Sequence, residues 1–288
     1  MGNMSLNRAA RGDSSDEWYT TPATAAVELE RHRDALRGRA VHCNADGPDS
    51  AFARWLSANA ADLRLRRLTL TRWREGAGSL LDPDGCGDRW DWAGDGWEHA
   101  RLRGDGSYRS RECMRVTAGC DIVVTNPPFS LLSDYVPRML RAGADLLVIG
   151  TLSCAKYARI LPYVLDGTLR FGYMCSRMRF RVGDGERVLG NARWLTTLPV
   201  RRAPLRPHGD PALLEPLDGR PGVLHVPRLD MLADVPGVYA VPLTFLDVWP
   251  LDGWRLRGVF ADGPDRHHLG RACVHGRNLF ARLCVQRL

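Results

Sequence analysis

Lysine is almost missing from this chain: of 40 basic residues only Lys156 is one. So strong a preference for arginine is explained as well by genome base composition as by phosphate recognition, although the planar guanidinium fork suits phosphates and guanine edges. No apolar run approaches the roughly 20 residues that cross a bilayer, and the opening MGNMSLNRAARGDSSDE lacks the apolar block of a signal peptide. A cytoplasmic protein without membrane contact is expected. There is no C-x-x-C pair among the eight scattered cysteines, which argues against a zinc ribbon or a disulfide framework. Cys273 with His275, and His42 with Cys43, offer two ligands each and do not close a tetrahedral site, so no metal is expected. No internal repeat is present, and no G-x-G turn follows the first apolar strand.

What is present is ordinary for a protein that buries a core. The chain has 288 residues, 44% hydrophobic and 25% charged, enough for one large α/β domain or two smaller ones. A formal charge of +7 favours a polyanionic partner, because clustered cations release counterions from phosphates.

The hydrophobic pattern predicts a disordered lead over 1–14, a catalytic core over 15–200 and a β-rich C-terminal part over 201–288. Thr21 and Pro22 read as the N-cap and first position of a helix carrying Ala25, Ala26, Leu29 and Leu36 on one face. RAVHCN, RRLTLTRW, CDIVVTNPP and DLLVIGTL read as strands separated by helices, which argues for a mostly parallel central sheet with helices on both faces. Residues 74–106, rich in Gly, Asp and Trp, read as a long excursion from that sheet. From about 169 onward the pieces are hairpin-like, interrupted by the Pro/Arg-rich loop RRAPLRPHGDPALLEPLDGRPG.

The sharpest local signal is DIVVTNPPFS at 121–130, an apolar strand stopped by Asn126-Pro127-Pro128-Phe129. Consecutive prolines fix φ and restrict the residue before them, so the corner is stiff. Beyond the carboxyl end of a parallel strand it lies where ligands bind in open α/β sheets. The Asn126 side-chain oxygen and the Pro127 carbonyl can converge as two acceptors. A nucleobase amine is a poor nucleophile because its lone pair is delocalised, and two acceptors gripping its hydrogens favour the pyramidal geometry that attacks an electrophilic methyl group. Phe129 can stack on the base. The bland alternative is a Pro-Pro turn that merely ends a core strand.

NPPF after a strand resembles the amino-methyltransferases that use S-adenosylmethionine. DEWYTT, HCNADGPDSAF, GDGSYRS, DIVVTNPPFS, GNARWLTTL, VPLTFLD and ARLCVQRL, taken in order, resemble the EcoRI-type adenine-specific DNA methyltransferase family from about residue 16 to the end. The resemblance implies S-adenosylmethionine as donor, a Rossmann-like methyltransferase fold and N6 of a flipped-out adenine in double-stranded DNA as acceptor. Monomeric action, and a cognate restriction endonuclease as partner, fit the same family. In place of the missing glycine turn stands Asn44-Ala45-Asp46-Gly47-Pro48, where Asn44, Asp46 and Pro48 are donor-site candidates and Asp46 can meet the donor ammonium. The alternative is a turn closed by local Asx bonds. Tyr19, Thr20 and Thr21 precede a helix whose amides can take the donor carboxylate, or simply form a cap. Asp105 is the candidate adenosine contact, with Tyr108 stacking nearby. The second strand ends in Thr71-Arg72-Trp73 without the acid that commonly holds ribose. Trp194 is the candidate for the second side of the base clamp against Phe129, and the competing account makes it core. Arg201, Arg202 and Arg206 are candidate phosphate contacts, or else a solvated surface. The competing functions are a protein glutamine methyltransferase, an RNA methyltransferase using the same corner, and a DNA-binding protein without catalysis.

Overall fold

Five helical and strand segments read from the sequence between residues 22 and 151 reappear as elements, and their order along the sheet places the site. The computed structural model describes residues 18–74, 85–175, 177–203 and 205–288. The expected lead over 1–14 lies outside them. Two compact units emerge, a larger one holding the described residues up to Gly150 together with Gly172–Pro199, and a smaller one built from Thr151–Phe171 and Val200–Leu288.

Strands β1 (Tyr19–Thr20), β2 (Ala40–Cys43), β3 (Arg67–Arg72), β4 (Asp88–Trp92), β5 (Trp97–Arg101), β6 (Ile122–Thr125) and β7 (Asp145–Thr151) precede β8 (Arg170–Phe171), a short strand of the smaller unit. Then come β9 (Met178–Val182), β10 (Gly185–Leu189) and β11 (Ala192–Thr196). In the larger unit the sheet order is β5-β4-β3-β2-β6-β7-β11. β3, β2, β6 and β7 pair in parallel, whereas β4 and β5 add antiparallel to the β3 edge. The sheet is therefore mixed, with a parallel centre, where a mostly parallel one was expected. The described part of the 74–106 stretch is also no excursion from the sheet: residues 88–101 form its edge hairpin.

Val41, Ile122, Val123, Val124, Leu146, Leu147, Val148 and Ile149 have no exposed surface, which is why β6 and β7 read as near-continuous apolar runs and not as alternating ones. The longer helices between the strands are α1 (Pro22–Arg31), α2 (Ala51–Ala58), α3 (Arg111–Ala118) and α4 (Leu132–Arg141). Thr21, Ser50 and Ser110 cap the first three by accepting the N–H of Thr24, Ala53 and Cys113 at 3.4, 3.1 and 3.1 Å, each worth about 1 kcal/mol. α4 buries Leu132, Tyr135, Val136 and Met139, one stripe at helical spacing. His42, in the middle of β2, sits between the hydroxyls of Thr71 and Thr117 at 3.0 and 3.1 Å. Burial pushes its pKa down to about 3, so it is a neutral spacer tying β2 to β3 and α3.

Separately, β1, β9 and β10 form a three-stranded antiparallel sheet within the larger unit. The smaller unit is β-rich. It carries β12 (Pro216–Leu217), β13 (Arg220–His225), β14 (Gly237–Pro242), β15 (Trp254–Phe260), the hairpin β16 (Cys273–Val274) with β17 (Arg277–Asn278), and β18 (Arg282–Arg287). Its main sheet has the order β12-β13-β14-β18-β15 around a core of Leu217, Ala240, Phe260, Ala272 and Cys284. All eight cysteines are free. Among the described residues no helix is long and apolar enough to cross a membrane, and no group of three metal-ligating side chains occurs.

Candidate active site

The chain leaves β2 for β3 on one side, then returns through α3 to β6 on the other side of β2. The strand order thus reverses between β2 and β6, and ligands in open α/β sheets bind at the carboxyl ends flanking such a reversal. Two of the predicted segments stand there: Asn44 to Pro48 follows β2, and Asn126 to Phe129 follows β6. A hydrogen bond joins them, for the hydroxyl of Thr125, last residue of β6, donates to Asp46 Oδ2 at 2.6 Å. The Asp46 N–H is held by the Thr71 carbonyl at 3.2 Å. Burial pushes the Asp46 carboxyl from its ordinary 3.8 up to about 7, against the opposing hydrogen bonds of Thr125 and Ser50. An acid kept so far from water is one that a cation would relieve.

Pro127 is buried and Pro128 exposed, and the chain continues directly into a single 3-10 turn, Phe129–Leu131, that feeds α4. Phe129 is half-buried and edge-on to Phe180, with ring centroids 6.4 Å apart and planes at 89°. Asn126 Nδ2 donates to the Trp18 carbonyl at 2.8 Å, whereas Asn126 Oδ1 is buried and has no partner among the described residues. A buried acceptor left unmade forfeits about 1–3 kcal/mol, so its retention calls for a ligand that satisfies it.

The other sequence candidates divide. Asn44 is at the strand end but its side chain is turned to α4, where Tyr135 donates to its Oδ1 at 2.5 Å and its Nδ2 meets Met139 Sδ at 3.2 Å. Asp46 and the half-buried Pro48 keep their place in the turn. Thr21 acts as the predicted cap, and its hydroxyl also donates to Thr24 Oγ1 at 3.0 Å. Tyr19 is half exposed, with the Arg181 guanidinium 5.9 Å from its ring. Thr20 Oγ1 is buried without a partner among the described residues. Asp105 Oδ1 accepts the Ser107 N–H at 2.9 Å, a local Asx turn, and its carbonyl accepts the Arg74 N–H at 2.9 Å beside the end of β3. Gly106 is required there: its φ is +81° and a Cβ would collide with the Arg72 carbonyl. Tyr108 is buried, edge-on to Tyr135 at 5.0 Å and bonded to Asp134 Oδ2 at 3.0 Å.

Two assignments fail on burial and hydrogen bonding. Trp194, expected as a clamp for the base, has no exposed surface and packs edge-on against Phe52 at 5.8 Å; an enclosed ring cannot stack a nucleobase. Arg202, expected at a phosphate, uses its guanidinium on main-chain carbonyls, reaching Asp247 and Leu246, with Phe171 at 3.0 Å. Arg201 and Arg206 are exposed.

Sequence reasoning passed over Thr125, Tyr135, Trp18 and Phe180, and also an acid beside β3. Asp88, on neighbouring β4, is registered opposite Arg72 and lies 3.6 Å from its guanidinium, which in turn stacks over Trp90 at 4.9 Å. Trp18 and Thr125 lay inside stretches already singled out, DEWYTT and DIVVTNPPFS.

A buried acid and an orphaned asparagine oxygen, brought together at the reversal of an α/β sheet beyond an Asn-Pro-Pro-Phe corner, belong to the class of the methyltransferases. The family follows from comparison. The family model described as "Adenine-specific methyltransferase EcoRI" matches residues 5–197, and the chain belongs to that family. The type II methyltransferase M.EcoRI of Escherichia coli is 25% identical over 316 residues, covering 98% of this chain and 96% of the relative. The type II methyltransferase M.MgeORF184P of Mycoplasma genitalium is 24% identical over 276 residues, covering 85% and 82% respectively. M.MpnI of Mycoplasma pneumoniae, also a type II methyltransferase, is 30% identical over 179 residues, covering 62% and 53%. No solved structure matches at comparable significance.

Proposed function

We propose that this protein is a site-specific DNA adenine methyltransferase with a Rossmann-like catalytic unit, acting on the N6 amine of an adenine turned out of duplex DNA. The observation that carries the proposal is the Asn126 side chain, whose nitrogen is engaged by Trp18 while its oxygen is buried and unpartnered. With the Pro127 carbonyl, that oxygen grips the two hydrogens of the target amine and localises its lone pair, stabilisation aimed at the transition state. Phe129 holds the base by its ring. The amine is acidified by methylation and needs no strong base to lose its proton. S-adenosylmethionine supplies an electrophilic methyl group on a cationic sulfonium. Asp46 fits such a donor, because a buried carboxylate with a raised pKa gains most from a neighbouring ammonium. Tyr19, Thr20, Pro48, Asp105 and Tyr108 line the rest of the donor site in this proposal. Arg201 and Arg206 of the β-rich C-terminal part, 201–288, are assigned to the phosphate backbone. The protein acts as a monomer in the cytoplasm, alongside a cognate endonuclease for the same site.

Transfer of tritiated methyl groups decides among acceptors. Label is expected in N6-methyladenine of duplex DNA; label confined to structured RNA or to a release-factor glutamine would reject the proposal.

The donor contact has a pH signature. Ammonium binding requires the Asp46 carboxylate, so donor affinity is expected to weaken below pH about 7, with a limiting slope of about tenfold per pH unit, and to level off above it. Calorimetric titration of the donor between acid and mildly alkaline pH measures this, and a flat profile would remove Asp46 from the contact. The stability sign is opposite. Because the folded state holds this proton more tightly than the unfolded chain, the stabilisation is present below the ordinary 3.8 and lost as pH rises through about 7. Asp46→Asn, which still accepts from Thr125, should therefore raise thermal stability in mildly alkaline buffer while weakening donor binding.

A further inference from the structure

The strand that opens the described chain reaches into the proposed acceptor site. β1 pairs with β9 through Tyr19↔Arg181 and Thr20↔Phe180, and the Thr21 N–H continues the ladder to the Arg179 carbonyl at 3.4 Å. In an antiparallel pair, alternate residues turn both main-chain groups to the partner strand. Thr21 and Tyr19 do so here, which leaves the main-chain groups of Trp18 and Thr20 on the opposite, open edge. On that edge the Trp18 carbonyl meets Asn126 Nδ2 at 2.8 Å. A carbonyl oxygen only accepts, so the amide has one workable orientation at this contact: nitrogen toward Trp18 and Oδ1 away from it. Oδ1 is the atom left buried and without a partner.

We infer that Trp18 is a positioning residue for methyl transfer, its main-chain carbonyl fixing the Asn126 amide so that Oδ1, and not the NH2, is offered to the target amine. The inference rests on the methyltransferase reading above and deepens it. The flipped amide would present donors to a donor, so the choice between two rotations of one side chain decides whether the corner grips an amine at all. Trp18 is itself fixed through its ring, which stands edge-on to Phe180 at 5.9 Å and 78° and lies 5.9 Å from the Arg187 guanidinium. Phe180 receives Phe129 on the same terms, at 6.4 Å and 89°. One buried ring thus sets both the carbonyl that orients Asn126 and the aromatic residue that follows the prolines. The proline elbow fixes the main chain of the corner but not the χ2 rotation of Asn126, and β1 supplies that missing constraint.

The test is a graded series in the full-length protein, Trp18→Phe, Trp18→Leu and Trp18→Gly, with kcat and the dissociation constants for donor and duplex DNA measured on each. Trp18→Phe keeps the edge contact with Phe180 and should stay within about threefold of the parent, rescuing function by conservation of the ring. Trp18→Gly keeps the carbonyl but frees the strand end, and kcat should fall about 10–100-fold while both dissociation constants change by less than about threefold. Should that variant not fold, Trp18→Leu carries the same test, with an expected kcat loss of about tenfold. Unchanged kcat in the glycine or leucine variant, beside a loss of turnover in Asn126→Ala, overturns the positioning role and leaves the amine-gripping corner standing. Parallel losses in kcat and both affinities overturn it too, since they mark a purely structural role. If Asn126→Ala also keeps its turnover, the corner itself is not the reacting centre and both proposals fall.

Discussion

Asn126→Ala is expected to lower kcat by about 10²–10³-fold while leaving donor and DNA dissociation constants nearly unchanged. The size follows from what the side chain does in the proposed transition state. Its oxygen is one of the two proposed acceptors for the target NH2, and it is already buried and without a partner among the described residues before substrate arrives. An acceptor in that condition needs no reorganisation at the moment of reaction, which is where most of the catalytic advantage of such groups arises. The affinity should survive because the proposal also assigns Phe129 to the base and places the DNA contacts away from the corner. Removal of an unsatisfied buried atom carries little penalty for the fold, since among the described residues the side chain makes one bond, from Nδ2 to the Trp18 carbonyl. Single-turnover methyl transfer under saturating donor and DNA isolates the step. A rate within a few-fold of the parent would remove Asn126 from the chemistry. A matching fall in DNA affinity would instead make it a binding residue.

The parts of this site that show in the sequence are those fixed by local chemistry. IVVT followed by NPPF could be read because a strand buried on both faces is a continuous apolar run and consecutive prolines allow few corners. Thr21 could be read as a cap because capping depends on three neighbouring residues. What stayed hidden depends on distance. Asn44 looked like a ligand at a strand end, yet its partner Tyr135 lies 91 residues away. Trp194 could be read as a clamp or as core because every residue of β11 is buried, which removes the alternation that distinguishes a lining residue from a core one. β4 and β5 were read as an excursion because Gly and Asp dilute their pattern, although main-chain pairing to β3 needs no apolar side chains. Trp18 was beyond side-chain reasoning altogether, since the atom that matters is its carbonyl oxygen.

Glu28→Ala is the substitution expected to harm the fold most, by about 3–5 kcal/mol, because it empties a buried anionic site whose partners remain. Glu28 lies on the inner face of α1 with no exposed surface. Its Oε1 accepts the Tyr173 N–H at 2.6 Å and its Oε2 the Met174 N–H at 2.7 Å, while His32 Nε2 stands 3.1 Å from Oε1. The main chain wraps so closely on the carboxylate that a Cβ at Gly172 would collide with Oε1 and come within 2.6 Å of the Trp194 Cβ. Charge-assisted bonds of this kind are among the stronger ones in a protein interior, and alanine leaves two amides without their acceptor next to a void. Glu28→Gln should be milder, about 1–2 kcal/mol, because one oxygen still accepts while the new NH2 meets a donor it cannot bond. Denaturant unfolding of the three proteins measures the series, and a loss below about 1 kcal/mol for the alanine variant would mean that the amides find other acceptors. The consequence extends to the reacting corner. β9 begins four residues after Met174, pairs with β1 and carries Phe180, the ring against which both Trp18 and Phe129 are set. In the proposed mechanism a carboxylate with no part in the chemistry thus anchors the strand assigned to orienting Asn126, and the alanine variant, even where it remains folded, should lose kcat more than affinity for either substrate.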